Sequence, residues 1–180
     1  RQRQMCIRDR YGTNKRDAIV ELVKSVNSSV SDGQGGHLKL CDGIGMQSYI
    51  GGYGQQSGCM NDNDITAVKN AIEKFASIGV EVHVTELAVR NYERSDEREA
   101  EHGAFYKKLM QTYVDINKEA KAKGETGPIT SLSIWGLFDA PYLAETDYSY
   151  KMNGPYCGLF TELYQPKEAF KEVYKVLSGE

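Results

Sequence analysis

The 180-residue chain carries 22 Lys plus Arg against 25 Asp plus Glu, a formal net charge of -3, and 40% of its residues are hydrophobic. That length suffices for one domain core, and so balanced a charge supplies no basic field of the kind that gathers nucleic acid. No apolar run approaches the ~20 residues that cross a bilayer and the sequence shows no signal-peptide pattern, so a neutral substrate in solution fits better than a membrane or a polyanion.

Residues 1–10, RQRQMCIRDR, have no periodicity that continues into the following segment and hold four Arg beside one Asp. They are expected to be a disordered or non-native leader outside the fold. From Thr13 to Val26, the apolar positions Ala18, Ile19, Leu22, Val23 and Val26 recur at helical spacing. A Ser/Gly-rich loop, 27–36, leads to a strand over Leu38 to Ile50. There Gly43, Gly45, Gln47 and Tyr49 share one face, and Ile44, Met46 and Ser48 the other.

Gly-rich residues 51–58 precede Asn61 to Asp64, good N-caps for a helix over Ile65 to Ile78 that Gly79 stops. Val80 to Val89 reads as a strand with Val82, Val84 and Glu86 on one face and His83 on the other. A long helix follows from Asp96 to Ala122, with Phe105, Leu109, Tyr113 and Ile116 at core spacing. Ile129 to Leu137 is the next strand. A Tyr-, Gly- and Asp-containing loop then runs to Gln165, and Pro166 begins a last helix with Ala169, Phe170, Val173 and Leu177 inward. Alternating helices and strands predict α/β architecture with a parallel sheet, either a small open sheet or the end of a larger barrel.

Glu86 is the odd residue of its strand. A carboxylate in the run Val-His-Val-Thr-Glu-Leu-Ala-Val costs several kcal/mol unless it is paired or lies at a mouth. It sits at the C-terminal strand end, where parallel α/β proteins keep their active sites, although a salt-bridged structural Glu explains the position equally well. The same Thr-Glu-Leu letters recur at 161–163 without implied chemistry. Trp135, the single tryptophan, ends its strand on the face of Ser131 and Ser133 and can be a sugar-stacking plate or a core wedge. Gln47 and Tyr49 bring amide and phenol groups to a third strand end.

His37 and His102 read as solvated, and His83 as a packed histidine rather than a base. Of Cys6, Cys41, Cys59 and Cys157, none forms a Cys-x-x-Cys pair, so no metal site is expected. Cys59 and Cys157 sit in Gly-rich loops; free buried thiols are the expected state, a Cys59–Cys157 bridge the alternative. No nucleophile elbow, dinucleotide turn or phosphate loop occurs, and no cofactor is expected.

Asp42-Gly-Ile-Gly-Met-Gln-Ser-Tyr49, Gly79-Val-Glu-Val-His-Val-Thr-Glu-Leu87 and Ser133-Ile-Trp-Gly136, in that order and spacing, closely resemble glycoside hydrolase family 10, the endo-β-1,4-xylanases. The resemblance spans about Tyr11 to Leu177. It implies that residues 11–180 are the C-terminal part of a (β/α)8 TIM barrel, about strands six to eight with flanking helices. It further implies a retaining glycosidase acting on xylan, secreted in its parent form, with Glu86 as nucleophile and Gln47, Tyr49, Trp135 and Tyr142 as substrate-binding residues. The family's acid/base is the Glu of an Asn-Glu pair, and no such pair occurs in the chain, so the chain alone is expected to be inactive and prone to aggregate.

Three features depart from the family pattern. Most members carry His where Tyr49 stands and Asp where Ala88 stands, and a second Trp is replaced in the region of Tyr142 and Leu143. With the His and Asp both lost, the Tyr49 hydroxyl is expected to donate directly to Glu86. Tyr142, Tyr148, Tyr150 and Tyr156 either line a sugar cleft or pack on their own loop. A retaining β-glucanase and a non-catalytic carbohydrate-binding fragment remain alternatives.

Overall fold

The computed structural model describes residues 4–7, 13–51 and 60–180. Its elements alternate as expected: β1 (Gln4–Ile7), α1 (Thr13–Asn27), β2 (Gly43–Met46), β3 (Tyr49–Ile50), α2 (Asp62–Ala76), β4 (Glu81–Val89), α3 (Asp96–Ala122), β5 (Ile129–Ile134), α4 (Tyr148–Asn153) and α5 (Glu168–Ser178), with a 3-10 turn at Pro141–Leu143. The strands pair in parallel. β1 lies on β2, β4 takes both β2 and β3 on one side, and β5 closes its other side. Consecutive parallel strands joined by helices place those helices on one face of the sheet.

Gln4–Ile7 fall inside the segment expected to be a disordered leader. They form β1, in register with Gly43–Met46, a backbone pairing that side-chain periodicity does not report. Residues 51–58 as a loop fall largely, and Cys59 wholly, outside the described residues. Cys157 is a buried free thiol, as is Cys41.

The core lies between sheet and helices. Ile44, Met46, Val82, Val84 and Leu87 of the sheet meet Val68, Ile72, Phe75, Phe105 and Leu109 of the helices. Asn61 caps α2, its side chain accepting from the backbone N–H groups of Asn63 and Asp64, and Ser95 caps α3 through Arg98 N–H. Caps of this kind are each worth about 1 kcal/mol. In α1 the buried positions are Val20 and Val23, while Leu22 is half exposed and Ala18 exposed, so the inward face is rotated from the expected one. Leu177 of α5 is likewise exposed, with Ala169 and Val173 inward.

His102, expected to be solvated, is fully buried. Its Nε2 lies 3.0 Å from the Val89 carbonyl, and its ring meets Tyr106 edge-on at 5.1 Å. Tyr106 in turn accepts from Val89 N–H through its hydroxyl. α3 thereby holds the last residue of β4 from both backbone groups. Burial, reinforced by the Lys167 charge, pushes the His102 imidazole down to about 3.

Candidate active site

The site forms where β2–β3, β4 and β5 end. The single strand expected over 38–50 is broken at Ser48, which takes φ 65 and lies fully buried. The face assignment survives the break: Ile44, Met46 and Ser48 are buried, and Gln47 and Tyr49 are partly exposed on the other side.

β4 carries an extra residue opposite that break. Met46 pairs with Val84, but Tyr49 pairs with Ala88, three positions on one strand against four on the other. The register with β5 shifts across the same stretch, between Val84 and Leu87. This bulge moves the alternation by one, so Val82, Val84, Leu87 and Val89 all face the core. Glu86 therefore turns away from Val82 and Val84, contrary to the expected face, and comes onto the side of the sheet that bears His83. A bulge of one residue is invisible to a period-two reading. His83 itself lies 3.3 Å from Glu81 Oε2, which also accepts from the Thr130 hydroxyl at 3.0 Å.

Glu86 is held from both carboxylate oxygens. Gln47 Nε2 donates to Oε1 at 3.4 Å, and the Tyr49 hydroxyl donates to Oε2. The direct Tyr49–Glu86 bond expected from the sequence is present. Tyr49 stands in register with Ala88, so the phenol lies over the smallest side chain that β4 offers. Glu86 N–H donates to the Gln47 carbonyl at 3.1 Å, locking the two strand ends together.

Arg90 is a site component that the sequence reading did not single out. It is 5% exposed, and its guanidinium donates to the carbonyls of Tyr49 at 3.1 Å, Gly51 and Met152. It thus ties the backbone of the Glu86 partner to the long loop after β5. Asn91 reinforces the tie through Asn153 and Tyr156. Gly154 is required there, since its φ is 88 and a Cβ would lie 2.0 Å from the Asn91 carbonyl.

Trp135 is 45% exposed, and its backbone N–H donates to the Leu87 carbonyl at 2.9 Å, so it stands one strand from Glu86. The loop behind it is anchored by a buried ionic cluster, also missed from the sequence. Lys167 donates to Asp139 Oδ1 at 2.9 Å and to the Tyr156 carbonyl at 2.9 Å, and lies 3.1 Å from Glu99 Oε1, an ionic contact not aligned as a hydrogen bond. Burial, only partly offset by the Lys167 charge, pushes the Asp139 carboxyl up to about 6. A lysine just before an apolar helix face was the available signal.

Tyr142 is 76% exposed on the 3-10 turn Pro141–Leu143. Tyr148 is also exposed, Tyr156 faces the Arg94 guanidinium at 6.0 Å, and Tyr150 lines a pocket beside Trp135. Glu162 of the second Thr-Glu-Leu pairs with Arg94 at 2.6 Å.

A parallel sheet whose strand ends gather a carboxylate, an amide, a phenol and an indole matches a known family model. The model for glycosyl hydrolase family 10 fits residues 6–176. The chain belongs to this family. Endo-1,4-beta-xylanase B of Butyrivibrio fibrisolvens is 32% identical over 142 residues, covering 76% of this chain and 19% of that protein. A Thermobacillus composti GH10 xylanase structure superposes with a TM-score of 0.68 at 26% identity, covering 96% of this chain and 52% of that one. A Clostridium thermocellum endo-1,4-beta-D-xylanase structure, containing CBM22-1 and GH10 modules and complexed with xylohexaose, gives 0.66 at 26% identity, over 94% of this chain and 28% of that one. The chain thus spans about half, or less, of the length of these family 10 relatives. Its α/β sheet has the fold of a family whose members are (β/α)8 barrels, and the relatives it matches are named xylanases.

Proposed function

We propose that this chain supplies the last strands, about six to eight, of the catalytic barrel of a secreted, retaining endo-1,4-β-xylanase, with Glu86 as its nucleophile. The observation that carries the reading is the Glu86 carboxylate at the end of β4, gripped by Gln47 and the Tyr49 hydroxyl beside an exposed Trp135. Polar donors aimed at a strand-end carboxylate suit a group that must stay ionised and oriented in order to attack.

In this reading Glu86 attacks the anomeric carbon of a xylosyl unit. The glycosidic C–O bond breaks, and the leaving oxygen takes a proton from an acid/base Glu of the preceding half-barrel. That residue then takes a proton from water, whose oxygen displaces Glu86 from the anomeric carbon, with net retention. Retention requires the two carboxyls to lie ~5 to 5.5 Å apart. The Tyr49 bond serves both steps, because the carboxylate is nucleophile in the first and leaving group in the second. Trp135 offers a flat apolar plate to the faces of the sugar rings, and Gln47 an amide to their hydroxyls.

The complete barrel is expected to release reducing ends from β-1,4-xylan well above β-1,4-glucan, the first product having the β-configuration at its new end. Faster cleavage of glucan, or an α-product, contradicts the reading. Replacing Tyr49 with Phe in that enzyme should lower kcat roughly ten- to hundredfold, the worth of a hydrogen bond to a charged group. An unchanged rate would show that the phenol only fills space over Ala88.

A further inference from the structure

Beyond Leu87 the end of β4 loses its neighbour on the β5 side. The last ladder bond there runs from the Trp135 backbone N–H to the Leu87 carbonyl at 2.9 Å, and the chain then turns at Gly136, where φ is 77. On the β3 side the ladder continues, Ala88 N–H donating to the Ser48 carbonyl and Arg90 N–H to that of Ile50. The N–H and carbonyl of Val89 are left on the edge that β5 has quit. Val89 is fully buried, so both groups need partners from the protein itself.

Two side chains one helical turn apart on α3 take the place of the missing strand. The Tyr106 hydroxyl accepts from Val89 N–H at 3.3 Å, and His102 Nε2 donates to the Val89 carbonyl at 3.0 Å. The second bond fixes the imidazole tautomer: the proton is on Nε2, and Nδ1, buried without a partner, is bare. The clamp has firm backing from α5, since a Cβ on Gly103, the residue after His102, would lie 3.0 Å from the Glu168 side chain and 3.1 Å from its backbone.

Glu86 depends on that anchor. Up to Val84, β4 keeps its pairing with β2, but between Val84 and Leu87 the register with β5 shifts, so ladder spacing alone does not set where the carboxylate points. Val89, three residues on, is the far fixed point of this irregular stretch. The next residue, Arg90, holds the carbonyls of Tyr49 and Met152.

We infer that His102 and Tyr106 are positioning residues for Glu86: by clamping Val89 they set the aim of the carboxylate across the bulge. The inference rests on the proposed role of Glu86 as nucleophile. Both side chains are 0% exposed, so neither meets substrate, and the clamp acts on turnover rather than on binding.

The test compares the complete barrel enzyme with three variants. His102→Leu removes the donor, Tyr106→Phe removes the acceptor and keeps the ring, and His102→Gln keeps an amide donor near the imidazole Nε2. With xylohexaose, the Leu and Phe variants should each lose about tenfold in kcat with KM within about twofold, while the Gln variant stays within about twofold of the parent in both. The rate at which a 2-deoxy-2-fluoro xylobioside labels Glu86 should fall by the same factor, with the final labelled amount unchanged, which separates a misaimed carboxylate from a loss of folded enzyme. A fall in labelled amount at an unchanged labelling rate, a loss in KM alone, or a Gln variant as slow as the Leu variant would overturn the positioning role. If His102→Leu yields no folded enzyme, Tyr106→Phe decides by the same rate criterion. A parent enzyme labelled elsewhere than on Glu86 would overturn the nucleophile reading instead.

Discussion

Replacing Glu86 with Gln in the complete barrel should lower xylan hydrolysis on the order of 10⁵-fold, the scale of losing a covalent nucleophile. The substitution keeps the shape that accepts the Tyr49 hydroxyl and leaves β4 paired, so stability should change little. The distinguishing arm is Glu86→Gly with a small anion such as azide. The space vacated lets the anion attack the anomeric carbon from the same face, restoring turnover with an activated aryl xyloside and giving an α-configured glycosyl azide. A structural Glu86, ion-paired only, predicts intact hydrolysis in the Gln variant and no azide product.

The second large effect is on stability. Lys167→Met leaves Asp139 and Glu99 without their shared cation in a site where Lys167 and Asp139 are 5% and 2% exposed. Breaking one partner of a buried pair costs about 3–5 kcal/mol at neutral pH. The penalty depends on pH with a definite sign. The Asp139 carboxyl titrates at about 6 in the fold against an ordinary 3.8, so its contribution is fully present below the ordinary value and is lost as pH rises through about 6. Removing Lys167 raises the carboxyl further. The variant should therefore lie closest to the parent near pH 4, where Asp139 is neutral in both, and fall away towards pH 7. His102 runs the other way: held down to about 3, it takes stability from the fold as pH drops below 6.5. Removing Lys167 also relieves part of the hold on His102, which favours the variant at low pH and so adds to the same trend. A melting difference that is the same at pH 4 and pH 7, or below ~1 kcal/mol at pH 7, would contradict the ion-pair account.

Much of the site was legible in the sequence because it sits on strand ends with unusual letters. Glu86 interrupts an apolar run, Gln47 and Tyr49 alternate with Ile44 and Met46, and Trp135 stands before a glycine. Helix boundaries followed from caps: α3 begins after Ser95 and spans Asp96–Ala122 as its periodicity requires. What was not legible came from interactions between distant segments. The bulge that re-aims Glu86 exists only in the pairing of β4 with two neighbours at once. His102 looks like any polar residue on a helix until the β4 carbonyl that binds it is placed. Arg90 and Lys167 escape a sequence reading because their partners are mainly backbone carbonyls or acids dozens of residues away.

The most direct test of Glu86 as nucleophile is to trap the glycosyl-enzyme. The complete barrel is incubated with a 2-deoxy-2-fluoro xylobioside bearing a good leaving group, digested, and its labelled peptide sequenced by mass spectrometry. The account predicts one fluoroxylobiosyl group in ester linkage on Glu86, with stoichiometric release of the leaving group. A label on any other carboxylate, or release without a label, would contradict it.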